Sequence, residues 1–215
     1  MAFFSNTASS TTSPGERAQT SETIITSCME IHGDIRGCGS LYIDGTLHGN
    51  IETEEGVTVG RDGKVYGEIT TRKLIVSGTI EGRVACEDLE VTQTGVVSDT
   101  IRTHTLRSDG TLTSNIEATD AIEISANGRV ETTHMESRRI VVSGSVVGNL
   151  TATELLEIEQ TGRIEGEMTV TRFKVAEGGT VMGQMRTYQP DAPITAPEPM
   201  VDTTTLQGDE EAIDA

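Results

Sequence analysis

The chain has 215 residues, no tryptophan and only 3% aromatic residues, too few large rings to fill the irregular interior of an ordinary globular core. Its formal net charge of -18, with lysines and arginines scattered singly among acids, excludes a surface that neutralises nucleic-acid phosphates. No run approaches the ~18 apolar residues of a membrane span, and no charged start followed by an apolar run suggests a secretory leader.

Residues 1–22 are rich in Ser and Thr and are expected to be a disordered tail. Phe3 and Phe4 are the two aromatic residues within it. The core is expected over residues 23–186, where a repeat becomes visible. Its apolar anchors are Ile31, Leu47, Val65, Ile80, Val97, Leu112, Val130, Val146, Ile164 and Val181, spaced 15 to 18 residues apart. A second apolar residue follows four positions after every anchor except Val130, where His134 stands instead. A one-residue slip that turns Met135 inward would restore the pattern, because strand faces alternate residue by residue.

Glycine marks the same register. It stands two residues before nine of the anchors and two residues after seven, so 16 of the 23 glycines occupy two fixed offsets. The first set suits a corner with positive φ, and the second suits a close approach of neighbouring coils. In the middle of the core Asp99, Ser114 and Thr132 replace the second glycine. The repeats also carry an alternating apolar pair, such as Leu41/Ile43, Leu74/Val76 and Phe173/Val175, with only half of it kept in the rung of Leu106 and Ser108, which is strand periodicity with one face inward. Short strand, corner, short strand, corner predicts an all-β, single-stranded parallel β-helix of about ten rungs.

Residues 187–215 carry four prolines and seven acids without a base and are expected to be a second disordered tail. Cys28, Cys38 and Cys86 lack metal-ligand spacing and are expected to be free, buried thiols of a cytoplasmic protein.

The phrase running from Ile31 to Ile69, "LIVSGTIEGRV" at 74–84, "IVVSGSVVGNL" at 140–150 and the closing segment 164–185 together closely resemble the bactofilins, bacterial polymer-forming cytoskeletal proteins. The resemblance implies a right-handed helix, filaments that need no nucleotide, and contact with the inner face of the cytoplasmic membrane through an N-terminal peptide. Phe3 and Phe4 match that peptide in character. Cell-wall or polarity proteins are the partners it implies, besides other copies of the chain.

The residues themselves favour assembly. A β-helix exposes an apolar cross-section and unpaired backbone at each end unless a cap covers it. Here the first rungs begin at Ile24, Ile25 and Ile31, and the last ends at Val181 and Met185 before the proline-rich tail. With Phe173, which family resemblance places near a polymer junction, these are the expected interface residues.

Other chemistry is weaker. His32 and His48 occupy equivalent sites one rung apart, which reads as a solvated polar ladder, so no metal is expected. "GRDGKVYG" at 60–67 lacks the ending of a phosphate loop, and Glu54/Glu55 reads as a solvated face. No catalytic residue and no cofactor is expected. A β-helix enzyme, acyltransferase-like or carbonic-anhydrase-like, is the alternative to a cytoskeletal polymer.

Overall fold

The computed structural model describes residues 22–188. All regular structure in this range is β-strand, and every pairing is parallel, as a coil stacked on its predecessor requires. About ten coils build one solenoid. At roughly 4.8 Å per coil its axis is about 45 Å long. The second coil shows the plan, with three short strands, Ser40–Ile43, Thr46–His48 and Ile51–Thr53. Further along, strands merge around the bends into long runs such as Thr79–Val91 and Thr111–Ile124.

The anchors form one continuous column. Ile31 pairs with Leu47, Leu47 with Val65, Val65 with Ile80, and so on through Ile164 with Val181. From Leu47 to Ile164 each anchor is buried to 1% exposure or less. The alternating pairs stack likewise, Leu41 on Val57 and Ile43 on Val59. Like-on-like stacking of Val, Ile and Leu fills the interior without large aromatics.

The slip at Val130 is real. Met135 pairs with Ile116 below and Leu150 above and is fully buried, while His134 is exposed. The ladder shifts between Thr132 and Met135, one extra residue absorbed as a bulge. In the rung that keeps only half of its apolar pair, Ser108 takes the inward place and is fully buried.

The glycines after the anchor combine the close approach expected of them with the positive φ expected of the corner set. Positive φ belongs to the glycines after the anchor, such as Gly49 at 149° and Gly82 at 144°. They also lie closest to the coil below, where a Cβ on Gly82 would collide with the Gly67 carbonyl. The corner glycines have ordinary φ and are required by space alone. Periodicity locates such positions in a sequence, but it carries no dihedral angle.

The corners alternate along the stack. Long corners close a turn through one backbone hydrogen bond, Gly63 N–H to the Gly60 carbonyl at 3.1 Å and Gly95 N–H to the Thr92 carbonyl at 2.9 Å. The tight corners lie between them, at Gly45, Gly78, Gly110 and Gly144. A Cβ on Gly78 would run into the carbonyls of Gly60 and Gly63, and one on Gly110 into those of Thr92 and Gly95. Each tight corner therefore rests directly on the turn of the long corner before it. The last coil breaks the series, since its long corner at Ala176–Gly179 follows the long corner at Glu159–Gly162.

The expectation of buried cysteines holds for one of three. Cys86 is buried, whereas Cys28 and Cys38 are exposed. Both lie in bends of the first coil, outside the inward columns.

Asp99 tests the glycine rule. Among the described residues it is the non-glycine residue with positive φ, at 100°, and it stacks on Gly82 of the preceding coil. Gly82→Ala should lower the unfolding free energy by about 2 kcal/mol or more. Asp99→Gly should raise it by up to about 1 kcal/mol, the released strain exceeding the added chain entropy. Urea unfolding of the two variants beside the parent measures both.

Candidate polymer interface

The end faces follow from the columns. At the C-terminal end Phe173 stacks on Leu156, Val175 on Ile158, Val181 on Ile164 and Met185 on Met168. The residues beneath are 0–1% exposed, whereas Phe173 is 36% exposed, Val175 40% and Met185 48%. Nothing in their chemistry separates the two layers; among the described residues the upper one has no coil above it. The strands Phe173–Val175 and Thr180–Thr187 each pair with a strand on one side, and among the described residues no strand pairs with the other side.

The N-terminal end repeats this with smaller side chains. Among the described residues, strands Glu22–Ile25, Glu30–His32 and Ile35–Gly37 pair with the second coil alone. Ile25 is buried, and Ile31 and Ile35 are partly buried. Ile24 sits elsewhere, in the outward row beside Tyr42, and is 58% exposed.

Of the residues expected at an interface, Phe173, Val181 and Met185 thus share one end and Ile25 and Ile31 the other, while Ile24 lies on the flank. Phe3 and Phe4 fall outside the described residues. Ile35 and Val175 were overlooked, although the sequence marks both. Ile35 stands four residues after the first anchor, and Val175 completes the alternating pair begun by Phe173.

The flanks are polar. Arg102 meets Glu117 at 2.9 Å, Arg107 meets Glu123 at 3.0 Å, and Arg138 bridges Glu154 at 2.8 Å and Asp120 at 3.5 Å. Hydrogen bonds donated to Glu123 and Glu154 hold the Arg107 and Arg138 guanidiniums above their ordinary range. These pairs are exposed and contribute little stability. Their geometry instead tracks the coil spacing, each arginine reaching an acid on a neighbouring coil. A shallow groove of about 560 Å³ follows one corner of coils in the middle of the core, lined by Cys86, Thr103, Ala118 and Ser137 among others. Small side chains in this column leave the depression, which the sequence reading did not foresee.

A sequence model of the bactofilin family, described as polymer-forming cytoskeletal, matches residues 23–108 and again 103–186. The chain belongs to the bactofilin family. Bactofilin BacO of Myxococcus xanthus (strain DK1622) is 33% identical over 114 residues, which cover 51% of this chain and 89% of the relative. No solved structure matches the chain. The double match fits the length of the rod, since the anchor column runs through both matched segments, with one register shift in their overlap between Thr103 and Thr105. The second segment begins in the middle coils where Asp99, Ser114 and Thr132 replace glycine.

The thiols of this bactofilin separate by environment. Burial pushes the Cys86 thiol up to about 11, and its Sγ lies 3.6 Å from Thr103 Oγ1. Since the thiolate is the reactive form, iodoacetamide at mildly alkaline pH should label Cys28 and Cys38 of the native protein and spare Cys86. In denaturant all three should react. Intact-mass spectrometry counts the adducts.

Proposed function

We propose that the chain assembles end to end, without nucleotide, into cytoplasmic filaments that line the inner face of the membrane and organise cell-shape or envelope proteins. The observation that carries this reading is the pair of end coils, each a cross-section of the core that no described residue covers. Burying a partly exposed Phe, Val or Met there contributes on the order of 1 kcal/mol per side chain, and new backbone pairs add to it. Phe173, Val181 and Met185 act at one end, with Val175. Ile25 and Ile31 act at the other, and Ile24 on the adjoining flank. The family match favours this polymer over a β-helix enzyme.

Purified protein freed of nucleotide should form filaments in negative-stain micrographs and pellet at high speed. Phe173→Arg, which places a charge in an apolar junction, should shift most of the protein to the supernatant while its circular dichroism stays that of a β-solenoid. Filaments of normal length from this variant would remove Phe173 from the junction.

Phe3 and Phe4 serve as the membrane contact in this reading. Burying the pair in the lipid interface contributes roughly 1–3 kcal/mol per copy, too little for one subunit and sufficient for a filament that sums many copies. Wild-type filaments should therefore sediment with liposomes. Phe173→Arg subunits and Phe3→Ala/Phe4→Ala filaments should not. Equal lipid binding by the double alanine filaments would exclude the aromatic pair as the anchor.

A further inference from the structure

The outward row at the start of the stack carries a cluster unlike the rest of the flank. Glu30 and His32 stand two residues apart on one strand, so both side chains leave the same face. His48 is the direct ladder partner of His32 on the next coil. Glu30 Oε1 lies 3.0 Å from His32 Nε2 and 3.7 Å from His48 Nε2. The three ligand atoms all fall within 4.8 Å of one another. Among the described residues no other group of three His, Cys, Asp or Glu side chains gathers so closely.

We propose that Glu30, His32 and His48 form a binding site for a divalent transition-metal ion of the zinc, nickel or cobalt class. Two imidazoles and one carboxylate are the donors that such borderline ions prefer, whereas calcium and magnesium take oxygen alone. Bonds of about 2.0–2.1 Å set neighbouring donors of a tetrahedral site roughly 3.3 Å apart. The two carboxylate-to-imidazole separations fall on either side of that distance.

The fold supplies the organisation. Paired strands fix the two histidines one coil apart, a spacing that ordinary side-chain loops do not guarantee. The rings now stack, with centroids 4.8 Å apart and planes within 6°. In that pose their in-plane lone pairs run side by side, so binding requires at least one ring to turn. His48 is backed on its far side by Tyr66, whose ring lies 4.7 Å away and equally parallel. His32 belongs to the first coil, and its side chain is 69% exposed against 40% for His48. His32 is therefore the ring that swings, while Tyr66 holds His48 in place. Three protein donors leave coordination positions open to solvent. A polar ladder without metal affinity would show the same stacking, and binding measurements separate the two.

The site does not depend on the polymer reading, and its test is a binding measurement on the full chain. Cys28 and Cys38 are exposed thiols of the same coil, so the parent for the test is Cys28→Ser/Cys38→Ser. Isothermal titration of this chelator-treated protein with Ni²⁺ at neutral pH should show saturable binding of one ion per chain. His32→Ala and His48→Ala should each weaken it by about tenfold or more, and Glu30→Gln by less, as loss of a donor predicts. His104→Ala and His134→Ala should leave it unchanged. With Co²⁺ as the probe, visible absorption should appear in the parent and vanish in His32→Ala/His48→Ala. Thermal melting keeps fold loss apart from ligand loss. A parent that shows no saturable binding, or a double-histidine variant that binds as the parent does, overturns the proposal.

Discussion

Every coil of this molecule depends on its neighbours for backbone hydrogen bonds. In a globular sheet the ladder runs across a layer, and other layers bury the faces. Here the ladder runs along the axis of the rod, so each coil is satisfied by the one before and the one after. Register follows from that constraint, because a coil displaced by one residue would turn its apolar columns outward. The identity of the core follows too. Ile80 must suit Val65 on one side and Val97 on the other, and a medium-sized aliphatic chain suits both. Interior coils meet the constraint on both sides, and among the described residues the terminal coils meet it on one side. The exposure of Phe173, Val175 and Met185 is therefore a property of position. Any residue in those columns would lose its cover in the last coil.

The same constraint lets a rod of this kind lengthen by whole coils. A coil added between two others creates one more interface of a kind already present, so stability grows without redesign of the core. The second family match begins at residue 103, before the first ends at residue 108, and the anchor column passes through the overlap unbroken, Val97 to Leu112 to Val130. What changes near the joint is the bend after the anchor. Asp99 keeps the positive φ of the glycines before it at a cost in strain. Thr132 adopts another solution. It turns its hydroxyl to the His134 carbonyl at 2.9 Å within the bulge that brings Met135 inward.

The anchors, the alternating pairs and the inward turn of Met135 were legible in the sequence because a solenoid repeats one environment. Ten imperfect copies of one coil average away the ambiguity of any single copy. What the repeat could not convey was whatever differs between identical sequence symbols. Gly45 and Gly49 look alike in sequence, yet one is required by space and the other by both φ and space. Cys28 and Cys86 likewise differ only in their place on the coil. The end residues were partly legible. Phe173, Val181 and Met185 stand in visible columns, whereas Ile24 drew notice by composition and lies in an outward row. The histidine pair was visible as a repeat. Glu30 was not part of it, because its approach depends on side-chain directions that a spacing rule does not contain.

The alternation of long and tight corners makes the structural period of the rod two coils, although its hydrogen bonds repeat every coil. Gly78 lies on the carbonyls of Gly60 and Gly63, and Gly110 on those of Thr92 and Gly95, so a tight corner needs a long corner beneath it. Loss or gain of a single coil within this region would set two corners of one kind against each other. Loss or gain of a pair would restore the original contact. Among the described residues no tight corner rests on another, so a change of length here must leave each tight corner on a long one. A long corner is less demanding, since the one at Ala176–Gly179 stacks on another at Glu159–Gly162, and the tight corners alone set the rhythm.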